Sequence, residues 1–365
     1  MLLIKDILTE VEKIAPLALQ EDYDNSGLMV GDVNQEVKGV LLCLDITEEI
    51  LEEAIFKKCN LIISHHPIIF KGLKCLDSST RIGKIIIDAV KQNVVLYAAH
   101  TNLDNAHLGV SYYLAQRLGL IKPVVLDPAK ESLRKLVTFC PVNFVERVRT
   151  ALFEAGAGHI GNYDSCSYNI DGTGTFRALE NSHPFVGQKG EIHCEVETRI
   201  EVIYPVYIEK FVIKSLKAAH PYEEVAFDIY NLQNENRFMG CGVVAELPHS
   251  TEVNDFLNHV KNVLGLATIK YSAKKRDKIK KVALCGGSGG FLINNAIRSN
   301  ADIYITGDLK YHDFTDYSHQ IILADIGHFE SEQFVREQIR EILIKKFPTF
   351  AVSISESEKS SVCFL

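Results

Sequence analysis

Asn60-Leu61-Ile62-Ile63-Ser64-His65-His66-Pro67 joins an apolar run of strand length to two adjacent histidines and a proline. Proline has no amide hydrogen to donate, so the run cannot continue as a strand past it. On a regular strand His65 and His66 would face opposite sides. At a strand end, where the backbone turns, both can face one site, or each can hold one of two neighbouring metals. Imidazole is the commonest metal-ligating side chain near neutral pH. Alone, the dipeptide reads equally well as two unrelated polar residues at a loop start.

Other polar strand ends favour the metal. Val94 to Ala98 reads as a strand leading into His100-Thr101-Asn102-Leu103-Asp104. Far down the chain, Gly327-His328-Phe329-Glu330-Ser331-Glu332 reads as a helix start. His328 and Glu332, four residues apart, share one helical face, while Glu330 points away. His65, His66, Asp104, His328 and Glu332 make three histidines and two carboxylates, a donor mix suited to Zn, Fe, Mn or Ni. Five donors are too many for a closed structural zinc site and fit two metals with a bridging carboxylate and open positions.

The elements that must position these residues alternate. Leu3, Ile7, Val11 and Ile14 have helical spacing. Tyr23 to Gly31 reads as a turn and short strand, and Val37 to Leu44 as a strand. Thr47 opens a helix to about Lys58, Leu61 to Ser64 is a strand, and Ile82 to Gln92 is a helix. This order implies a largely parallel sheet with covering helices. Val40-Leu-Leu-Cys43 recurs as Val282-Ala-Leu-Cys285. In the same ungapped register, Asn60 to Ser64 falls on Asp302 to Thr306, and His65-His66 falls on Gly307-Asp308. Val94 to Leu96 has its counterpart in Ile321 to Leu323. The repeat predicts two similar lobes, and α/β sheets bind ligands at strand carboxyl ends. Both lobes present their polar residues there.

Between the lobes, strands at Lys135 to Cys140 and Thr198 to Pro205, helices at Phe144 to Ala155 and Ile208 to Ala219, and a hairpin region at Gly156 to Phe176 suggest an α+β, ferredoxin-like insert. The expected fold class is therefore α/β, with two related lobes (residues 1–130 and 236–365) forming one metal-binding domain. The insert of 131–235 interrupts it. His220 and Glu223 read as a helix-end turn rather than as ligands. Gly286-Gly287-Ser288-Gly289-Gly290, between strand and helix, reads either as an anion cradle or as a turn packed against the facing lobe. Asp45, which the repeat aligns with Gly287, and His100 are the candidates for proton transfer or for holding a ligand, and each reads at least as well as a structural hydrogen-bonding residue.

Composition sets the outer bounds. The 47% hydrophobic and 24% charged fractions are those of a soluble globular protein. A net charge of −8 argues against a protein that coats nucleic acid. The basic run Lys270 to Lys281 reads as a solvated linker. Nine cysteines without a C-x-x-C fit reduced thiols in a cytoplasmic protein. Met1 to Glu10 is too charged for a secretory signal, and no apolar segment approaches membrane-spanning length.

Several segments together resemble the dinuclear-metal family known as GTP cyclohydrolase 1 type 2, or NGG-interacting-factor-three-like proteins. They are Tyr23-Asp24-Asn25-Ser26-Gly27-Leu28, Leu44-Asp45-Ile46-Thr47, Ile63-Ser64-His65-His66-Pro67, His100 to Asp104, Cys285 to Gly289 and Gly327 to Glu332. The inserted segment, with Gly161-Asn162-Tyr163 and His220-Pro221-Tyr222-Glu223-Glu224, is similar to the PII/CutA-like domain of the longer bacterial members. The resemblance implies His65, His66, Asp104, His328 and Glu332 as ligands to two divalent ions. It also implies a toroidal homohexamer, with a purine nucleotide such as GTP as nominal substrate. The tail Ser361-Val362-Cys363-Phe364 departs from the family's Asn-Pro-Phe-like ending. Two functions follow as expectations: metal-assisted hydrolysis, or a non-catalytic metal-binding or ligand-sensing assembly.

Overall fold

Val40-Leu-Leu-Cys43, Leu61-Ile-Ile-Ser64 and Val95-Leu-Tyr-Ala98 lack any apolar–polar alternation, and every residue in them is buried. Strands of a parallel sheet lose both faces to helices, which is what such runs require. The structure, a computed structural model, describes residues 1–273 and 276–363. Lys274 and Lys275 of the basic run and Phe364 of the tail lie outside the described residues.

Helix α1 (Ile4–Ile14) leads to strand β1 (Gly27–Val30). After it β2 (Val40–Cys43), α2 (Glu48–Phe56), β3 (Leu61–Ser64), α3 (Arg81–Lys91) and β4 (Val95–Ala98) alternate. Thr47 caps α2 by accepting the Ile50 amide at 3.3 Å, and Thr80 caps α3 by accepting that of Gly83 at 3.1 Å. A short α4 (Thr101–Asp104), α5 (Val110–Arg117) and β5 (Ile121–Ala129) complete this part.

The insert runs β6 (Leu133–Pro141), α6 (Val145–Glu154), β7 (Tyr168–Arg177), β8 (Ile192–Pro205), α7 (Glu209–Ala219) and β9 (Phe227–Asn231). Its sheet has the order β7-β8-β6-β9 with antiparallel neighbours throughout. Leu136, Ile200 and Val202 pack under Val148, Leu152, Val212 and Leu216 of the two helices. β8 starts at Ile192 and not at Thr198, because it pairs with β7 as far as Arg177↔Ile192. His193, Glu195 and Glu197 hide that extension from a reading based on apolar runs.

Then come β10 (Asn236–Glu252), α8 (Val253–Leu264), β11 (Lys270–Tyr271), β12 (Lys278–Ser288), α9 (Ile293–Arg298), β13 (Ile303–Gly307), α10 (Tyr311–Tyr317) and β14 (Ile322–Asp325). The chain closes with α11 (His328–Glu332), α12 (Val335–Lys346) and β15 (Val352–Ile354).

One sheet has the order β1-β4-β3-β2-β15, the other β11-β14-β13-β12-β10-β5. β2, β3 and β4 are parallel neighbours, as are β12, β13 and β14. Val40 pairs with Leu61 and Val282 with Ile303. The last strand, β15, returns to the first sheet beside β2, pairing Val352 with Val40. Helices α1 and α12 cover one face of that sheet, and α2 and α3 the other. The chain forms two compact units, Met1–Pro128 with Phe238–Leu365, and Ala129–Arg237.

Candidate metal centre

The backbone holds the histidine pair after β3 has ended. His65 and His66 still donate their amides to Cys43 O at 3.1 Å and Leu44 O at 2.9 Å, and Ser64 Oγ donates to His66 O at 2.8 Å. Both imidazoles leave the strand end on fixed peptides, with their ring centroids 5.0 Å apart.

Four histidines meet here, and each commits Nδ1 to an acceptor. His65 Nδ1 lies 2.8 Å from Ala99 O, a carbonyl that can only accept, so Nδ1 carries the proton. His66 Nδ1 lies 3.0 Å from Asp45 Oδ1, His328 Nδ1 2.7 Å from Asp308 Oδ2, and His100 Nδ1 2.7 Å from Asp24 Oδ1. Metal-ligating histidines use their second nitrogen in this way, which fixes ring orientation and raises basicity.

Glu332, its side chain 4% exposed, stands between the rings. Oε2 is 3.1 Å from both His66 Nε2 and His328 Nε2, and those two nitrogens are 3.2 Å apart. Oε1 is 3.6 Å from His65 Nε2, and Asp104 Oδ1 approaches the same nitrogen at 3.7 Å. His66, His328 and Glu332 form one set of donors within 4.8 Å of one another, and His65, His66 and His100 form a second. His66 belongs to both sets.

These residues fit a cation on two counts. His65 Nε2 is fully buried and has no hydrogen-bond partner among the described residues, a costly state for a polar atom. Neutral His66 and His328 would also turn two lone pairs on each other at 3.2 Å. Ligands about 2.1 Å from one ion at a tetrahedral angle stand roughly 3.4 Å apart, within the spread of distances seen here.

Without a cation, protons fill the role. Burial disfavours charge on His66, but hydrogen bonds to Asp45 and Glu332 outweigh it and push its pKa up to about 10. The hydrogen bond to Glu332, against burial, takes His328 to about 9. Burial also opposes ionisation of Glu332, yet His65, His328 and His66 hold its carboxyl well below the usual range. Asp104 goes the other way: desolvation raises it to about 7. His100 falls to about 4, chiefly through burial and then the neighbouring His65 charge.

The glycine-rich segment serves this cluster by packing. β12 runs on through Ser288, and the amides of Gly286, Gly287 and Gly289 go to Ser111 Oγ, Ser331 Oγ and Thr306 Oγ1 at 3.2, 2.9 and 2.9 Å. No anion cradle forms from these three amides, because side-chain hydroxyls occupy them. Gly287, at φ +61°, lies so close to the carboxylate that a Cβ there would stand 2.1 Å from Glu332 Oε1. His220 is a turn residue: Nε2 bonds Phe139 O at 2.9 Å, and Nδ1 accepts the Tyr222 amide at 3.1 Å.

Asp45 holds His66, and His100 joins the second donor set. Sequence reasoning missed Asp24, which also accepts from Thr101 N at 3.1 Å and Thr101 Oγ1 at 2.5 Å. Its signal was a carboxylate in a glycine-terminated turn, within one of the segments that carry the resemblance. Asp308 and His328 are both expected at the polar strand ends of the second half, and the structure joins them by a hydrogen bond. Asp308 follows β13 at φ +56°, a conformation that Asp tolerates better than most residues. Beside the cluster lies a cavity of about 390 Å³, lined by Asp45, His66, Asp308, His328, Lys359 and Ser360 among others.

Fold and site together define an α/β protein with a buried histidine–carboxylate cluster of metal-binding type. The family model for DUF34/NIF3, NGG1p interacting factor 3, matches residues 2–361, and the chain belongs to that family. A Bacillus subtilis (strain 168) relative bearing the name GTP cyclohydrolase 1 type 2 homolog is 36% identical, over 99% of this chain and 98% of its own. A relative of the same name from Halalkalibacterium halodurans is 38% identical over 94% of each chain. Among solved structures, a Bacillus cereus protein related to NIF3 superposes with a TM-score of 0.87 at 38% identity, covering 100% of this chain and 99% of its own. Staphylococcus aureus protein SA1388 gives a TM-score of 0.78 at 30% identity with the same coverage.

Proposed function

We propose that this chain is a dinuclear metal protein that hydrolyses a purine nucleotide such as GTP, with His65, His66, Asp104, His328 and Glu332 as ligands and Glu332 between the two ions. The orphaned, fully buried His65 Nε2 beside two carboxylates carries the metal reading. The purine substrate rests on the name borne by the relatives. Divalent ions there would supply Lewis acidity and make water nucleophilic near neutral pH. Asp45 and Asp308 hold the rings of His66 and His328 in place. Asp24 orients His100, whose low pKa leaves it neutral near pH 7. The adjoining cavity of about 390 Å³ has room for a nucleotide-sized ligand.

The matching parallel register of β2-β3 and β12-β13 supports an internal duplication. The β7-β8-β6-β9 order supports a ferredoxin-like insert. A cytoplasmic homohexamer, with no nucleic-acid or membrane partner, completes the reading; among the described residues no helix is long and apolar enough to cross a membrane. GTP turnover with defined metals, measured for the protein and for His65→Ala and Glu332→Ala, is the test. Equal rates in all three would remove the cluster from the chemistry.

One observation favours a second, non-catalytic reading. The insert has its own cavity of about 720 Å³, lined by Phe139, Phe176, Phe185, Tyr222, Gly172 and Gly174 among others, as a ligand sensor would require. Saturable nucleotide binding by calorimetry without product would favour it, and rapid turnover would end it.

A further inference from the structure

The C-terminal segment after β15 is fastened with more polar contacts than a chain end needs. Glu53 of α2 accepts from Ser355 Oγ at 2.5 Å, Glu356 N at 3.0 Å and Ser357 N at 3.1 Å. One residue later Glu358, its side chain 5% exposed, turns inward. Its Oε1 accepts the amides of Leu44 at 2.7 Å and Asp45 at 2.8 Å, and its Oε2 takes Arg336 Nη1 at 2.7 Å. Arg336 is itself steadied by donating Nε to Gln333 O at 2.8 Å.

Those two amides sit where β2 has ended and no ladder partner remains. The same short stretch does two things for His66. Leu44 O accepts the His66 amide at 2.9 Å, and Asp45 Oδ1 holds His66 Nδ1 at 3.0 Å. The Asp45 side chain is 59% exposed and has little packing of its own to fix it. Its peptide is fixed instead by one buried carboxylate more than 300 residues away in sequence. A buried carboxylate that desolvates to meet two amides must be offset by what it organises.

We propose that Glu358 is a positioning residue of the metal centre. It clamps the Leu44–Asp45 peptide, so that Asp45 holds the His66 ring and Nε2 is aimed at Glu332 and His328. The C-terminal segment thereby becomes part of the site, and Lys359 to Val362 continue as a wall of the adjoining cavity. This assignment rests on the metal reading above, but the clamp itself can be observed without metal.

The test uses the full chain, with Glu358→Ala and the conservative Glu358→Gln, whose amide oxygen can still accept both N–H groups. Two readouts are taken: Zn²⁺ affinity and stoichiometry by competition with a chromophoric chelator, and the hydrogen-bonded His66 Nδ1–H proton resonance in metal-free protein. Glu358→Ala is expected to weaken one of the two Zn²⁺ sites by on the order of tenfold or more and to lose the resonance. Glu358→Gln should keep most of both. A merely structural clamp would lower Tm equally but leave the affinity of the folded protein unchanged. That outcome, or an intact resonance in Glu358→Ala, overturns the proposal. Should the unaltered protein bind no Zn²⁺ while Glu358→Ala still loses the resonance, the metal reading fails and the positioning role stands.

Discussion

Each histidine of the cluster spends Nδ1 on an oxygen and keeps Nε2 for the site, and in metal-free protein the Nε2 atoms of His66 and His328 carry protons. His66 at about 10 and His328 at about 9 are imidazolium at pH 7, and a ligand must be neutral. Metal uptake at pH 7 should therefore release protons, up to about two per chain from this pair. Calorimetry in buffers of different ionisation enthalpy measures that number, and affinity should rise with pH up to about 10. The same raised values carry a stability consequence with a fixed sign. Both folded pKa values exceed that of a free imidazole, so their contribution is complete below pH 6.5 and fades as pH climbs through 9 and 10. Tm of the metal-free protein should fall across that interval, and metal-loaded protein should resist the fall. Glu332→Gln keeps the volume and removes the charge that lies within 3.6 Å of the Nε2 atoms of His65, His66 and His328. Elemental analysis of that variant should show loss of metal from both positions; retention of two ions would contradict the bridging role.

Among the elements, the strand ends deliver the chemistry, and small residues make room for it. Gly287→Ala places a methyl group against Glu332 at a positive φ. A cost of about 1–3 kcal/mol together with weakened metal binding is expected from denaturation curves and chelator competition. Gly290→Ala, with nothing closer than 3.8 Å to its Cβ, serves as the control. Glu53 tests the tail clamp away from the metal. Burial opposes its charge, but hydrogen bonds from Lys57, Ser355, Glu356 and Ser357 bring its pKa down to about 2. Its contribution is present above pH 4.5 and is lost as pH falls toward 2. Glu53→Ala should lower stability by about 1–3 kcal/mol at pH 7, and by progressively less on acidification.

At the scale of the whole molecule, two compact units imply separable roles. The unit formed by Met1–Pro128 and Phe238–Leu365 holds every residue of the cluster and has its own cores on both sheets. Replacing Ala129–Arg237 by a short flexible linker should leave a folded protein that keeps its metal stoichiometry. Circular dichroism and elemental analysis check this. A shortened chain that folds but binds no metal would show that the insert takes part in the site. Light scattering on the full chain tests the expected six-fold assembly.

Apolar runs with no alternation could only be strands covered on both faces. Spacing along α11 placed His328 over Glu332. These features are local, fixed by backbone periodicity and by the need to bury apolar side chains, and so the sequence alone determined them. Partners that orient the imidazoles or their supports come from other segments: Asp24 for His100 and Glu358 for the Asp45 peptide. Carboxylates in turns and tails look alike in a sequence, and only packing decides which one loses its water and gains a partner. The glycine run is the same case. Its composition suited a cradle for an anion, but Ser111, Ser331 and Thr306 claimed its amides, and close approach to Glu332 became its use. Tertiary structure made that choice, because hydrogen bonds between segments up to 175 residues apart follow from how strands and helices are brought together.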